Sequence, residues 1–478
     1  MSWKKNAVSY VTWFIYTVIT GLALLALGTE ICGRAGLSEY MGIGLALGYT
    51  AAAGGLAFLL HRFAAGRVSL FEEKRIHFTV LGTLLAVALF AVGFFLRIQG
   101  IGGAEYGSSI YYETAKVTED QGIPESVHGA VYFYVRLLRG VFLLLGNNAV
   151  MGVWLQILLQ LAASLFLFLA VRRLAGMTAG LVVLGFCMCG PYMVRSSLEL
   201  SPRMLYFFLV TAALWYMSAG YGEGDDEPHR LSHVSGFFAG VLAAVCGYLD
   251  ILGFALLFVA VGRIFCRGVD GGAKRKAAAV LLCAAGAILG FGLCICLDAW
   301  LSRKAVHRVA GAWLSLYVSE GFALPAEAGG LFAENCLLFG CMAFGIFSFW
   351  FDREGERISA AVFTVCGVMA AGCLGILTEE LPAFFSLYLT CAALAGVGMG
   401  QCLHVSPAKE RETAQEENPD FEILMEGMPE EKPRVQFLEN PLPLPKKHVK
   451  RVLDYSLPPA AQDDDFDFPV AEDDDFDI

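Results

Sequence analysis

The chain has 478 residues, of which 57% are hydrophobic and only 17% charged; that balance excludes a soluble globular domain and indicates a polytopic membrane protein. The formal charge of -11 is concentrated in residues 404–478, which hold 8 Lys and Arg against 20 Asp and Glu and leave 26 basic and 25 acidic residues in 1–403. The acidity therefore says nothing about a substrate, and no feature points to nucleic acid.

In chain order, Val8–Gly28 is long enough to cross a hydrocarbon core of about 30 Å as a helix. It follows Lys4 and Lys5, which places the N-terminus in the cytoplasm; it is too long for a signal-peptide core and has no clear small-residue cleavage site. Met41–Leu60 returns, with glycines at 42, 44, 48, 54 and 55 that allow close helix packing, and a basic loop, HRFAAGRVSLFEEKRIH, follows on the inner side. Phe78–Leu96 crosses outward and delivers a long polar stretch, Arg97–Asn148, to the outer face. Further crossings are expected at Ala149–Val171, Gly180–Tyr192 and Met204–Ala219. Val234–Phe265 reads as a hairpin turning near Tyr248–Asp250. Ala277–Leu297, Leu331–Phe351, Ile358–Leu377 and Ala383–Leu403 complete about twelve spans, with both ends inside. Inner segments then carry 16 Lys and Arg and outer ones 10, in the sense expected of a plasma-membrane protein.

The fold expectation is thus all-α and polytopic. Residues 1–77 supply two N-terminal spans and a basic loop, 78–403 form the main membrane module, and 404–478 form a disordered acidic cytoplasmic tail. The 14 cysteines fall mainly in apolar runs without paired spacing and read as small core residues. No cofactor is implied, and the residues leave a divalent metal open.

Within Arg97–Asn148, Ser108 or Ser109 is placed to cap a short helix reaching Gln121, which Gly122 and Pro124 stop. A second helix is expected over Ser126–Leu145. Tyr132, Arg136 and Arg139 share one of its faces at i, i+4 and i+7. Helices of this kind at the interface frame a cavity at the membrane surface rather than a separate domain.

The succession AEYGSSIYYETA, QGIP, FLLLGNN and AVRRLAG resembles the first outer loop and following span of GT-C type glycosyltransferases, in particular glycosyltransferase family 39, the protein mannosyltransferase and aminoarabinose transferase group. The resemblance covers Phe78–Phe265. It implies a membrane enzyme that moves a sugar from a polyprenyl-phosphate donor to an acceptor on the outer face, using an acidic residue of that loop. Glu105 matches the acid; the family's Asp-Glu pair is Ala104-Glu105 here, and His128-Gly129-Ala130 stands in the region of its Lys-Pro-Pro element. Such a transfer needs a carboxylate to deprotonate the acceptor hydroxyl and cations to stabilise the departing phosphate. Glu105 is the candidate base. Arg136, Arg139, Arg195, Arg203, Arg303 and Arg308 are candidates for the phosphate, because arginine combines fixed charge with forked donors. Tyr111, Tyr112, Tyr132 and His128 are candidates for sugar or acceptor contacts.

Plainer readings stand beside these. Glu105 reads equally as an exposed loop carboxylate, Arg136 and Arg139 as headgroup anchors, and the Arg195–Arg203 segment as a structural ion pair with Glu199, while Glu113 reads as a carboxylate on a solvated helix face and Asp250 and Asp298 as interfacial caps. A transporter or flippase of lipid-linked envelope precursors is the competing class, although the spans hold almost no ionisable residues and the halves show no internal repeat. A non-catalytic membrane partner is the third. In the tail, KKHVKR at 446–451 suits anionic lipid, and DDDFD at 463–467 recurs at 473–477, the pattern of a docking peptide for a cytoplasmic partner or of a solubilising end.

Overall fold

A computed structural model of the chain describes residues 35–72, 75–102, 109–116, 129–218, 233–264, 273–318, 336–351 and 383–403, with scattered helical positions between 14 and 33. Glu105, His128, the Gly122–Pro124 break, the expected span 358–377 and the tail lie outside them. Among the described residues every regular element is helical. The elements are α1 (Glu39–Glu72), α2 (Arg75–Ile101), α3 (Ile110–Lys116), α4 (Gly129–Leu145), α5 (Ala149–Cys189), α6 (Pro191–Leu198), α7 (Arg203–Ser218), α8 (His233–Leu249), α9 (Leu256–Arg263), α10 (Ala273–Ser302), α11 (Val306–Val318), α12 (Cys336–Phe351) and α13 (Ala383–Leu403).

Among the described residues four segments are long and apolar enough to cross a membrane: Tyr40–Leu60, Thr79–Ile101, Ala149–Arg173 and Lys274–Ser302. A bent pair, Gly176–Cys189 with Pro191–Leu198, makes a fifth. The outward faces suit lipid: Leu84 and Val87 on α2 and Ile288 and Leu293 on α10 are all more than 60% exposed, an arrangement water would penalise.

α5 is two arms rather than one rod. Gly176, at φ 90°, ψ 174°, interrupts it, a conformation that costs glycine little because it has no Cβ. The arms then run antiparallel, with Gln160 of the first donating to Cys187 O of the second at 2.7 Å. The expected hairpin after α8 is present as well: a 3₁₀ turn, Ile251–Ala255, follows Asp250, and Gly253 N–H donates to Asp250 O at 2.8 Å. α9 returns from it, so that α8 and α10 run parallel and touch at backbone level, where a Cβ on Gly290 would lie 3.0 Å from Val241 Cα. This parallel pair brings the last turns of α8 and α10 side by side.

The second arm of α5 ends at Gly190, and α6 continues from Pro191 with a 50° bend. Proline has no N–H, so Cys187 O loses its intrahelical partner. In apolar surroundings such a carbonyl needs another donor. Three side chains supply donors around the bend. Arg97 of α2, fully buried, donates from Nη2 to Cys187 O at 3.1 Å and from Nη1 to Met188 O and Gly93 O, each at 2.7 Å. Gln160 also serves Cys187 O, and Tyr388 of α13 donates to Phe186 O at 3.3 Å. Arg97, read from the sequence as the first residue of the outer polar stretch, lies instead inside the membrane-length segment Thr79–Ile101. Its cation sits at the negative end of a helix arm, where the aligned peptide dipoles favour it.

Replacing Arg97 by Met is expected to leave Met188 O without its donor and to lower the unfolding free energy by about 2 kcal/mol. Lys at 97 should recover only part of this, since one ammonium does not reproduce the guanidinium fork. Unfolding midpoints in mixed micelles check both outcomes.

Candidate functional site

Of the residues singled out from the sequence, those described gather at the end of the bundle where α2, α8 and α10 finish. α3 and α4 lie there as an amphipathic pair. α4 turns Val131, Tyr134, Val135, Leu138 and Phe142 inward, while Leu143, Leu144 and Leu145 are exposed. α3 is described over Ile110–Lys116 and α4 over Gly129–Leu145; the expected extensions to Gln121 and Ser126 lie outside the described residues. The Ser109 hydroxyl donates to Leu200 O at 3.5 Å, and Glu113 N–H donates to Ser109 O at 3.1 Å.

The tyrosines are packed and hold the site together. Tyr111 meets Tyr134 edge-on with centroids 5.8 Å apart, and Tyr112 meets Phe142 at 5.6 Å. Tyr134 is fully buried. Its hydroxyl accepts from Gln156 Nε2 at 2.9 Å, and burial first, then the neighbouring Tyr111, hold it as the neutral phenol, well above the usual tyrosine range. Gln156 also donates to Ser201 O at 2.6 Å and Glu199 O at 3.1 Å, tying α4 and α5 to the turn between α6 and α7.

Tyr132 is 2% exposed. Arg136, one turn later, donates from Nε to its hydroxyl at 3.1 Å, lies over its ring at 5.4 Å, and donates from Nη2 to Leu301 O at 3.0 Å. One arginine therefore joins α4 to the end of α10. The next residue on α4, Phe133, packs edge-on against Tyr248 at 5.9 Å.

Tyr248 marks the feature that the sequence reading missed. Its hydroxyl donates to Asp298 Oδ2, and its carbonyl accepts from Trp313 Nε1 at 2.9 Å. Trp313 lies nearly parallel to the Tyr248 ring, 11° apart in plane, and Phe291 closes the group. Asp298 is 1% exposed, with Oδ1 buried and without a hydrogen-bond partner among the described residues. Asp250 is 2% exposed. Both aspartates, read from the sequence as interfacial caps, have buried side chains; Asp250 immediately precedes the 3₁₀ turn Ile251–Ala255, and Asp298 lies within α10. α10 runs on to Ser302 and so places Asp298 inside the helix rather than after it.

The six arginines separate by position. Arg203 pairs with Glu199 at 3.5 Å, the structural ion pair that the plainer reading anticipates, with the carboxylate more than half exposed and hence worth little to stability. Arg195 is exposed on α6 and Arg139 half-buried on α4. Arg303 and Arg308 are exposed at the turn from α10 to α11. Among the described residues no group of three or more His, Cys, Asp and Glu side chains is arranged to hold a metal ion.

Fold and site define the class as a helical protein with several membrane-length apolar helices and an aromatic, arginine-bearing cluster at one end. Compared with models of known protein families and with functionally curated proteins, the sequence matches none.

Removing the Tyr248 hydroxyl with Tyr248→Phe leaves the buried Asp298 carboxyl without its donor and is expected to cost about 1–3 kcal/mol. Asp298→Ala in that background should cost less than in the wild type, a coupling of about 1 kcal/mol or more. A double-mutant cycle on denaturation midpoints measures it; strict additivity would show that the two groups act independently.

Proposed function

We propose that this chain is a GT-C type integral membrane glycosyltransferase, moving a sugar from a polyprenyl-phosphate donor to an acceptor at the outer face of the plasma membrane. In this reading about twelve spans carry it, and the tail 404–478 and both termini are cytoplasmic. The observation that supports it is the α3–α4 pair, two amphipathic helices seated on one end of a bundle of membrane-length helices, with Phe133 packed on Tyr248 and Arg136 bonded to Tyr132 and to Leu301 O at the end of α10. A transferase acting on a lipid-borne donor needs such a platform, because the sugar lies at the interface while the lipid stays in the bilayer. Glu105, in the segment that leads from α2 to α3, is the base that takes the proton of the acceptor hydroxyl. Arg136 and Arg139 lie on the face of α4 suited to the departing phosphate, with Arg195 and Arg203 on the neighbouring turn.

The bent pair at Gly190–Pro191 supports transport as the second reading, since interrupted helices often bound substrate sites in transporters. The carbonyls at this bend, however, are engaged by Arg97, Gln160 and Tyr388, which argues for a packed joint rather than a substrate site.

Glu105→Gln is expected to lower turnover of a polyprenyl-phosphate-linked sugar by 10²–10⁴-fold, the usual contribution of a general base, with expression unchanged. Undiminished turnover removes Glu105 as base. Movement of an intact lipid-linked sugar across a reconstituted membrane, without cleavage, would replace the transferase reading by the transport one.

A further inference from the structure

We propose that the turn between α10 and α11 is a binding site for the phosphate headgroup of an anionic bilayer lipid. α10 ends in a closed cap: Lys304 N–H donates to Ala299 O at 3.0 Å and Arg303 N–H to Trp300 O at 3.4 Å, with Arg303 in the left-handed region at φ 54°. That pattern ordinarily places glycine where Arg303 stands. A side chain there costs about 1 kcal/mol, so the guanidinium is kept at a position where backbone energetics favour its absence.

The cations around it are concentrated and unopposed in sequence. Arg303, Lys304 and Arg308 fall within six residues, Arg136 joins them through Leu301 O, and residues 299–318 contain no Asp or Glu. The nearest acid before them, Asp298, is buried against Tyr248. Arg303 and Arg308 are exposed, and neither side chain has a hydrogen-bond or ion-pair partner among the described residues. These charges flank the N-terminal turn of α11, itself the positive end of a helix. Like charge is thus piled on like charge, which an anion relieves.

Depth identifies the anion as lipid-borne. The cations begin one residue past Ser302, the end of a membrane-length helix, and Trp300, 76% exposed, is the kind of side chain that sits at the membrane–water interface. Leu297, Val306 and Leu314 are also exposed around the turn and offer acyl chains an apolar border. The face therefore has tryptophan at the interface, cations one turn beyond it, and aliphatic side chains beside them, the profile an anionic phospholipid fits. The assignment concerns bilayer lipid and does not depend on the transferase reading.

The test uses the full chain in detergent, with phosphatidylglycerol, phosphatidylcholine of the same acyl chains, or inorganic phosphate added, read by native mass spectrometry and by the thermal midpoint. Phosphatidylglycerol should be retained and raise the midpoint, the other two should not, and the effect should shrink as salt rises. Arg303→Gly with Arg308→Gln relieves the backbone and removes two cations, and should weaken phosphatidylglycerol binding at least about tenfold while the midpoint in phosphatidylcholine holds or rises. Arg195→Gln should leave binding intact. Equal effects of the two lipids, full binding by the double variant, or a phosphatidylglycerol effect indifferent to salt overturns the proposal. Reproduction of the midpoint shift by inorganic phosphate alone overturns its lipid assignment.

Discussion

The helical bundle depends on satisfying backbone carbonyls where a helix is broken in apolar surroundings. Pro191 removes the N–H that Cys187 O requires, and water is not at hand to replace it. Arg97 from α2, Gln160 from the first arm of α5 and Tyr388 from α13 converge on Phe186, Cys187 and Met188. Three helices distant in sequence are thereby registered against one bend. A cation at this depth is costly in isolation; here it is matched by several carbonyl oxygens and the negative end of a helix arm, a geometry in which Arg97 and the bend each make the other tenable.

The same logic recurs at the end of the bundle. Gln156, one helical turn before Gln160, collects Tyr134 and the carbonyls of Glu199 and Ser201. Arg136 satisfies Leu301 O as α10 terminates. Polar side chains thus work mainly on backbone ends, and the aromatic residues fill the space between them. Tyr111, Tyr112 and Tyr132, which as residue types suggest open stacking surfaces, are instead set edge-on against neighbours. What remains outward at this end is charge, on Arg195, Arg303 and Arg308, and aliphatic surface on the last turn of α4. Both properties suit a surface that meets lipid headgroups.

Tyr248 and Asp298 show how parallel packing creates a site from residues that are ordinary in sequence. α8 and α10 touch at backbone level, so their last turns end at the same depth, and the hydroxyl of one meets the carboxyl of the other. Phe133 on α4 and Trp313 on α11 then enclose the pair. Among the described residues one buried oxygen of this carboxyl group lacks a partner, an unfavourable arrangement, because such a group forfeits hydration without full replacement.

Much of the architecture was legible in the chain itself. Runs of twenty or more apolar residues can only be long helices in lipid, and so α1, α2, the first arm of α5 and α10 stand close to where hydropathy places them. The turn at Asp250 was legible because Val234–Phe265 is too long for one span. Amphipathic spacing likewise disclosed α4 and the shared face of Tyr132 and Arg136. Pairwise meeting was not legible. Asp298 reads as a cap until the helix is seen to continue four residues beyond it, and Arg97 reads as the first residue of a polar loop until Cys187 and Met188 are found beside it. Local sequence governs where a helix runs, since each backbone bond closes within four residues; which helix supplies the donor for a distant carbonyl depends on packing among all of them, and only the tertiary structure decides it.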